Sequence, residues 1–248
     1  MAILKTKGII ISENFVNDYD KMLVMLTPTL GKISCSAKGA RKNKSTLLAS
    51  TQFLCFGEYI LYKNPTSDVY NMNSCDIIEV FYNIRIDLEK LKLVSEITKI
   101  IQKVTTENED NYKILQLYLN TLYVISEKEK NMDLVIATFK IRLLAILGYA
   151  PCIIKCTECG ESENLNFFSF KSNGFKCSNC AKQDKGGISI LEVTKNAIQY
   201  SVLSEPKKLY SFEIPLEAIK EFKLVADIYF KTIGDGLFSI ENPKKVNP

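Results

Sequence analysis

Over the first eighty residues the apolar positions come in short runs or strict alternation. Residues 8–12 (GIIIS), 21–27 (KMLVMLT), 31–39 (GKISCSAKG), 53–63 and 67–81 each have the length and period of a strand, and Asn-Asp, Pro and Gly separate them. Five strands in so short a stretch predict a small closed barrel. An OB-fold is one such architecture, and an SH3-like barrel would give a similar string. After about residue 85 the period changes to that of a helix. Leu88, Leu91, Val94, Ile97, Ile101 and Val104 recur with Lys and Glu on the other faces. Further helices are expected at 110–126, 132–148, 190–203 and 215–233, the last opening at Pro215 and stopping near Gly234. The 132–148 stretch is apolar on nearly all sides and should be central to a bundle, with Gly148 as its C-terminal cap. The tail, 241–248, reads as disordered.

The expected class is therefore α+β. A five-stranded barrel domain spans residues 1–82, and an all-α domain spans 83–248. A ribbon at 153–183 interrupts the helices. It carries Cys156, Cys159, Cys177 and Cys180 with the spacing C-x2-C-x17-C-x2-C. Two such turns joined by a hairpin supply the four soft ligands of tetrahedral Zn²⁺. Four protein ligands leave no open position, so one structural ion is expected and no catalytic one. Cys152 and the unpaired Cys35, Cys55 and Cys75 are expected to pack as small apolar residues.

Composition narrows the chemistry. The 248 residues contain no His, which excludes Ser-His-Asp, Cys-His and HExxH systems in their usual form. There is no Trp, so base stacking would fall to Tyr and Phe, with Tyr19, Phe53, Phe56, Tyr59 and Tyr62 as candidates. No secretory signal or membrane-length apolar run is present, and cysteines scattered through a core-rich chain suit a reducing cytoplasm. The net charge is only +4, but it is unevenly spread. Residues 21–57 hold no acid, and Lys32, Lys38, Arg41, Lys42 and Lys44 fall within 32–44. Such a field attracts a polyanion, and Lys38, Arg41, Lys42 and Lys44 would meet its phosphates. Lys140 and Arg142 sit on the most apolar helix, about 160° apart at ~100° per residue, and are candidates for holding an anionic partner group.

Four segments in this order resemble the bacterial RecO family, nearly end to end. They are the opening strands leading to KGARKNKS, FYNIRIDLEKLKLVSEITKII, FKIRLLAILGYAP, and the paired cysteines. The resemblance implies an N-terminal OB-fold, a helical C-terminal domain with an inserted zinc ribbon, and no enzymatic activity. It implies binding of single- and double-stranded DNA, annealing of complementary strands, and partnership with RecR, often with RecF. Together these load RecA onto DNA coated by single-strand binding protein, whose acidic C-terminal tail would meet Lys140 or Arg142. The family's basic positions fall on Lys38, Arg41 and Lys42, with Lys32 and Lys44 as neighbours. A cytoplasmic, nucleoid-associated protein without membrane contact is expected. The rival readings are a metal-dependent nuclease, an RNA-binding or transcription module, and a scaffold for an acidic protein.

Overall fold

A computed structural model describes residues 2–63, 65 and 67–238, so the tail at 241–248 lies outside it. The chain divides into two compact units, Met1–Glu127 and Lys128–Pro248.

The first unit contains β1 (Ala2–Phe15), β2 (Lys21–Leu26), β3 (Lys32–Ala37), β4 (Phe56–Lys63) and β5 (Tyr70–Glu79). They close in the order β1-β2-β3-β5-β4, with β3 and β5 parallel and the other pairings antiparallel, which is the OB barrel. Strict alternation sets β2 and β3, where every second residue is buried. Ile10, Leu23, Met25, Ile33, Cys35, Tyr59 and Leu61 fill the interior. Burial pushes the Cys35 thiol up to about 12, as expected of a packing residue. The first strand is longer than the 8–12 run suggested. Residues 2–9 pair with β4 and residues 9–15 with β2, so β1 serves both of its neighbours. Its early half is disguised by Lys5 and Lys7, the first of which pairs with Glu58 across the sheet.

Three helices complete this unit: α1 (Tyr82–Arg85), α2 (Leu88–Val104) and α3 (Tyr112–Glu127). Asp87 caps α2 by accepting the Glu89 and Lys90 N–H groups. Val94, Ile97 and Ile101 are buried as the period requires, whereas Leu88 is left 80% exposed. The β2–β3 turn is tied to the α2–α3 connection through Lys32 N–H to Thr106 O and Asn108 N–H to Leu30 O, both 2.9 Å. Gly31 sits between them at φ +72°, where a Cβ would meet the Thr106 carbonyl.

The second unit begins with α4 (Met132–Ile146), ended by Gly148 N–H to Ala145 O and Tyr149 N–H to Leu144 O in a Schellman pattern. It continues through β6 (Leu165–Ser169), β7 (Gly174–Cys177), α5 (Ser178–Ala181), β8 (Gly187–Ser189), α6 (Glu192–Leu203) and α7 (Leu216–Phe238). The helix α7 does not stop near Gly234 but runs through it. The ribbon's sheet has the order β7-β6-β8, and β8 is too short to have shown as a run of its own. Leu134, Ala137, Ile141 and Leu144 of α4 join Phe168, Phe175, Phe222 and Tyr229 in one core, so ribbon and helices bury each other. Phe168 packs edge-on against Phe175 and Tyr229 at 5.9 and 5.4 Å.

Candidate nucleic-acid interface and metal centre

The basic loop leaves β3 at Lys38 and is held by the β1–β2 hairpin tip. In that tip the Asn17 side-chain oxygen accepts the Tyr19 and Asp20 N–H groups at 2.9 and 2.7 Å, a local turn that needs only a short polar side chain. Asp20 Oδ1 then accepts the Gly39 N–H at 2.7 Å, and its Oδ2 accepts from Asn17 Nδ2 at 2.9 Å. The Arg41 N–H bonds Tyr19 O at 3.0 Å, and the Arg41 guanidinium bonds Asn17 O at 2.9 Å. The Gly39 N–H, then Asn17, hold the Asp20 carboxyl below the usual carboxylate range, and Lys38 and Lys42 add to this.

Lys38, Arg41 and Lys42 are therefore held around the hairpin tip, and Lys44 follows two residues further along the loop. Lys38, Lys42 and Lys44 are exposed and Arg41 half-buried. Among the described residues none of the four forms an ion pair, whereas Lys5, Lys21, Lys63, Lys130, Lys140, Lys176 and Lys223 all do. The fifth, Lys32, begins β3 and so lies roughly 20 Å from Lys38 at ~3.3 Å per residue. Its ammonium donates to Gln102 O near the C-terminal end of α2, where a cation is favoured. Of the stacking candidates, Tyr19 is 55% exposed, but Tyr59 is fully buried and bonds Ser50 O and Cys55 O. Phe53, Phe56 and Tyr62 are half-buried. Phe15, which lies beyond the strand expected at 8–12 and was not among the stacking candidates, is 65% exposed and lies 4.1 Å from the Arg41 guanidinium.

In the second unit Lys140 and Arg142 do point apart. Lys140 Nζ bonds Asp227 Oδ1 on α7 at 2.6 Å. The Arg142 guanidinium donates to Val202 O and Ser204 O at the end of α6, and burial lowers its affinity for the proton.

The Sγ atoms of Cys156, Cys159, Cys177 and Cys180 all lie within 4.8 Å of one another. The hairpin sets this. Thr157 N–H bonds Phe175 O, Gly160 N–H bonds Cys156 O, and Leu165 pairs with Cys177. Burial raises the Cys156 thiol, but N–H groups of Cys159, Cys177 and Glu158 outweigh it and bring it down to about 6. Backbone N–H groups of Cys180 and Asn179 lower Cys177 in the same way. Burial and the neighbouring thiols push Cys180 the other way, up to about 12. Four sulfurs converging within 4.8 Å fit a metal held by sulfur. Cys152 stands apart, donating its thiol to Lys155 O at 3.5 Å.

Residues 1–81 match the family model described as "Recombination protein O N terminal", and residues 85–232 match "Recombination protein O C terminal". The chain is 40% identical over 232 residues to the DNA repair protein RecO of Acetivibrio thermocellus, covering 93% of this chain and 92% of that one. It is 30% identical to the proteins of the same name from Caldicellulosiruptor bescii, over 94% of both chains, and Clostridium perfringens, over 92% of both. No described helix is long and apolar enough to cross a membrane.

Proposed function

Because the chain belongs to the recombination protein O (RecO) family of DNA repair proteins, we propose that it is a non-enzymatic, DNA-binding recombination mediator. In this reading it binds single- and double-stranded DNA and anneals complementary strands. With RecR, and with RecF where that protein takes part, it helps load RecA onto DNA coated by single-strand binding protein. Its place is the cytoplasm, with the nucleoid. The observation that carries the reading is the group Lys38, Arg41, Lys42 and Lys44, held without ion-pair partners among the described residues on an OB barrel.

Annealing breaks no covalent bond. Two strands repel through their phosphates, and a basic surface relieves the repulsion and raises the local concentration of both. Base pairing then supplies the free energy. Lys32, bonded to Gln102, adds to the field from a distance. Cys156, Cys159, Cys177 and Cys180 would hold one Zn²⁺, which supplies folding energy to the ribbon. The acidic tail of single-strand binding protein is assigned to the Lys140 side of α4.

The test is annealing of two complementary labelled oligonucleotides, coated with cognate single-strand binding protein and followed by energy transfer. The intact protein should anneal quickly, without ATP and with steep salt dependence. Lys38→Ala/Arg41→Ala/Lys42→Ala, still folded, should lose this. A requirement for ATP, or cleavage of the DNA in Mg²⁺, would overturn the reading.

A further inference from the structure

The tip of the β1–β2 hairpin exposes three large apolar side chains within five residues: Phe15 at 65%, Val16 at 60% and Tyr19 at 55%. A single exposed hydrophobe is ordinary. Here both rings lie against cations. The Arg41 Cζ lies 4.1 Å and the Lys21 Nζ 5.7 Å from the Phe15 centroid, and the Lys42 Nζ lies 5.6 Å from that of Tyr19. More than half of each residue's surface stays open to solvent, room for a base to stack. The rings are also preset. The Asn17 turn, the Asp20–Gly39 bond and the Arg41–Tyr19 backbone bond hold the tip in place before any ligand arrives.

We propose that Phe15 and Tyr19 are a stacking platform for unpaired bases, so that this site takes single-stranded DNA by its bases as well as by its phosphates. The inference rests on the DNA-binding reading above and specifies it. The occupant follows from the pairing of ring and cation. A base laid on the exposed part of either ring places its own phosphate beside Lys38, Arg41 or Lys42, which form no ion pair among the described residues. A duplex keeps its base faces stacked on one another, so it can use the cations but not the rings. The platform therefore separates the two forms of DNA, which phosphate contacts alone do not.

The chain contains no Trp, so Tyr19→Trp is a fluorescent reporter free of background. Three probes of equal length are titrated: oligo-dT, an abasic strand with the same phosphates, and a duplex. The proposal expects strong quenching of the introduced indole by oligo-dT and little by the other two. Phe15→Ala/Tyr19→Ala should weaken oligo-dT binding by roughly tenfold or more while leaving the abasic strand, the duplex and the salt dependence unchanged. Lys38→Ala/Lys42→Ala should weaken all three probes and reduce the salt slope by about 2. Equal weakening of dT and abasic strands by the aromatic change, or no quenching by dT, would overturn the platform and leave the basic site standing. If the lysine change alters neither affinity nor slope, the DNA site itself is elsewhere, and both readings of this loop fail.

Discussion

Asp20 Oδ1 accepts the Gly39 N–H at 2.7 Å, so a carboxylate stands in the middle of the most basic loop of the chain. Simple electrostatics makes it a liability for binding phosphates, and the hydrogen bonds make it the group that holds the loop. The two roles separate by substitution. Asp20→Asn keeps an oxygen for Gly39, removes the charge and gives up only the exposed bond from Asn17 Nδ2, and should tighten DNA binding about two- to fivefold at low salt. Asp20→Ala removes both and should weaken it by a similar factor, because Lys38, Arg41 and Lys42 must then be ordered on binding. Anisotropy titrations of both variants read the signs directly. Tighter binding by both would mean that the carboxylate only repels.

How far the chain could be read without its structure depended on how local each feature is. The alternation in β2 and β3 and the all-round apolar α4 are properties of consecutive residues, and they appeared where the periods placed them. The paired cysteines were equally plain, since each CxxC turn is complete in four residues. The hold of the hairpin tip on the basic loop was not legible, because Asn17 and Asp20 meet Gly39 and Arg41 only after a strand pair has folded back. The same blindness put Lys32 among the basic contacts, since a count along the chain does not register that β3 carries it to the far end. Arg142 finds its carbonyl partners about sixty residues away, at a helix end that no spacing announces.

The metal centre makes a composition test. The protein purified under reducing conditions should hold one zinc per chain, and Cys177→Ser should hold none. The loss should also unfold the surrounding core, because Cys156, Phe168 and Phe175 share one cluster with α4 and α7. Cys152→Ser is the control. Its thiol reaches Lys155 O and not the cluster, so metal content should stay at one. Thiol titration with a zinc indicator checks both, and zinc retained in Cys177→Ser would remove the four-cysteine assignment of the ribbon.

Lys176 crosses the ribbon to bond Glu158 at 2.8 Å and Asp184 at 2.9 Å, and both it and Asp184 are nearly enclosed. The Ser169 hydroxyl, then Lys176 and the Gly186 N–H, hold Asp184 down to about 2. Glu158 and Asp184 raise Lys176 above its ordinary value of 10.5. The depressed acid contributes stability above about pH 4, lost as pH falls towards 2. The raised lysine contributes below about pH 10.5, lost as pH rises past its shifted value. Between pH 6 and 9 both contributions are complete. Lys176→Met should therefore cost about 3 kcal/mol, constant over that window, by leaving Asp184 enclosed without its cation. Urea melts of the zinc-loaded protein at three pH values measure it. A penalty that changes by more than about 1 kcal/mol across the window would show that the triad titrates there.

Lys140 and Arg142 were alike in sequence and differ in what they have left to offer. Arg142 gives one donor from each terminal nitrogen to Val202 O and Ser204 O at the end of α6, so Arg142→Met should cost about 2 kcal/mol of stability through orphaned carbonyls. Lys140 gives its ammonium to Asp227, whose side chain is 40% exposed, so that pair is worth about 0.5 kcal/mol and is easily exchanged. An incoming carboxylate would compete with Asp227 for the same ammonium. If the acidic tail of single-strand binding protein docks on this side of α4, Asp227→Asn should tighten the tail peptide severalfold and Lys140→Ala should weaken it. Arg142→Met, kept well below its melting temperature, should leave peptide affinity unchanged. Peptide anisotropy orders the three variants. Loss of binding in Arg142→Met alone would move the docking site to the end of α6.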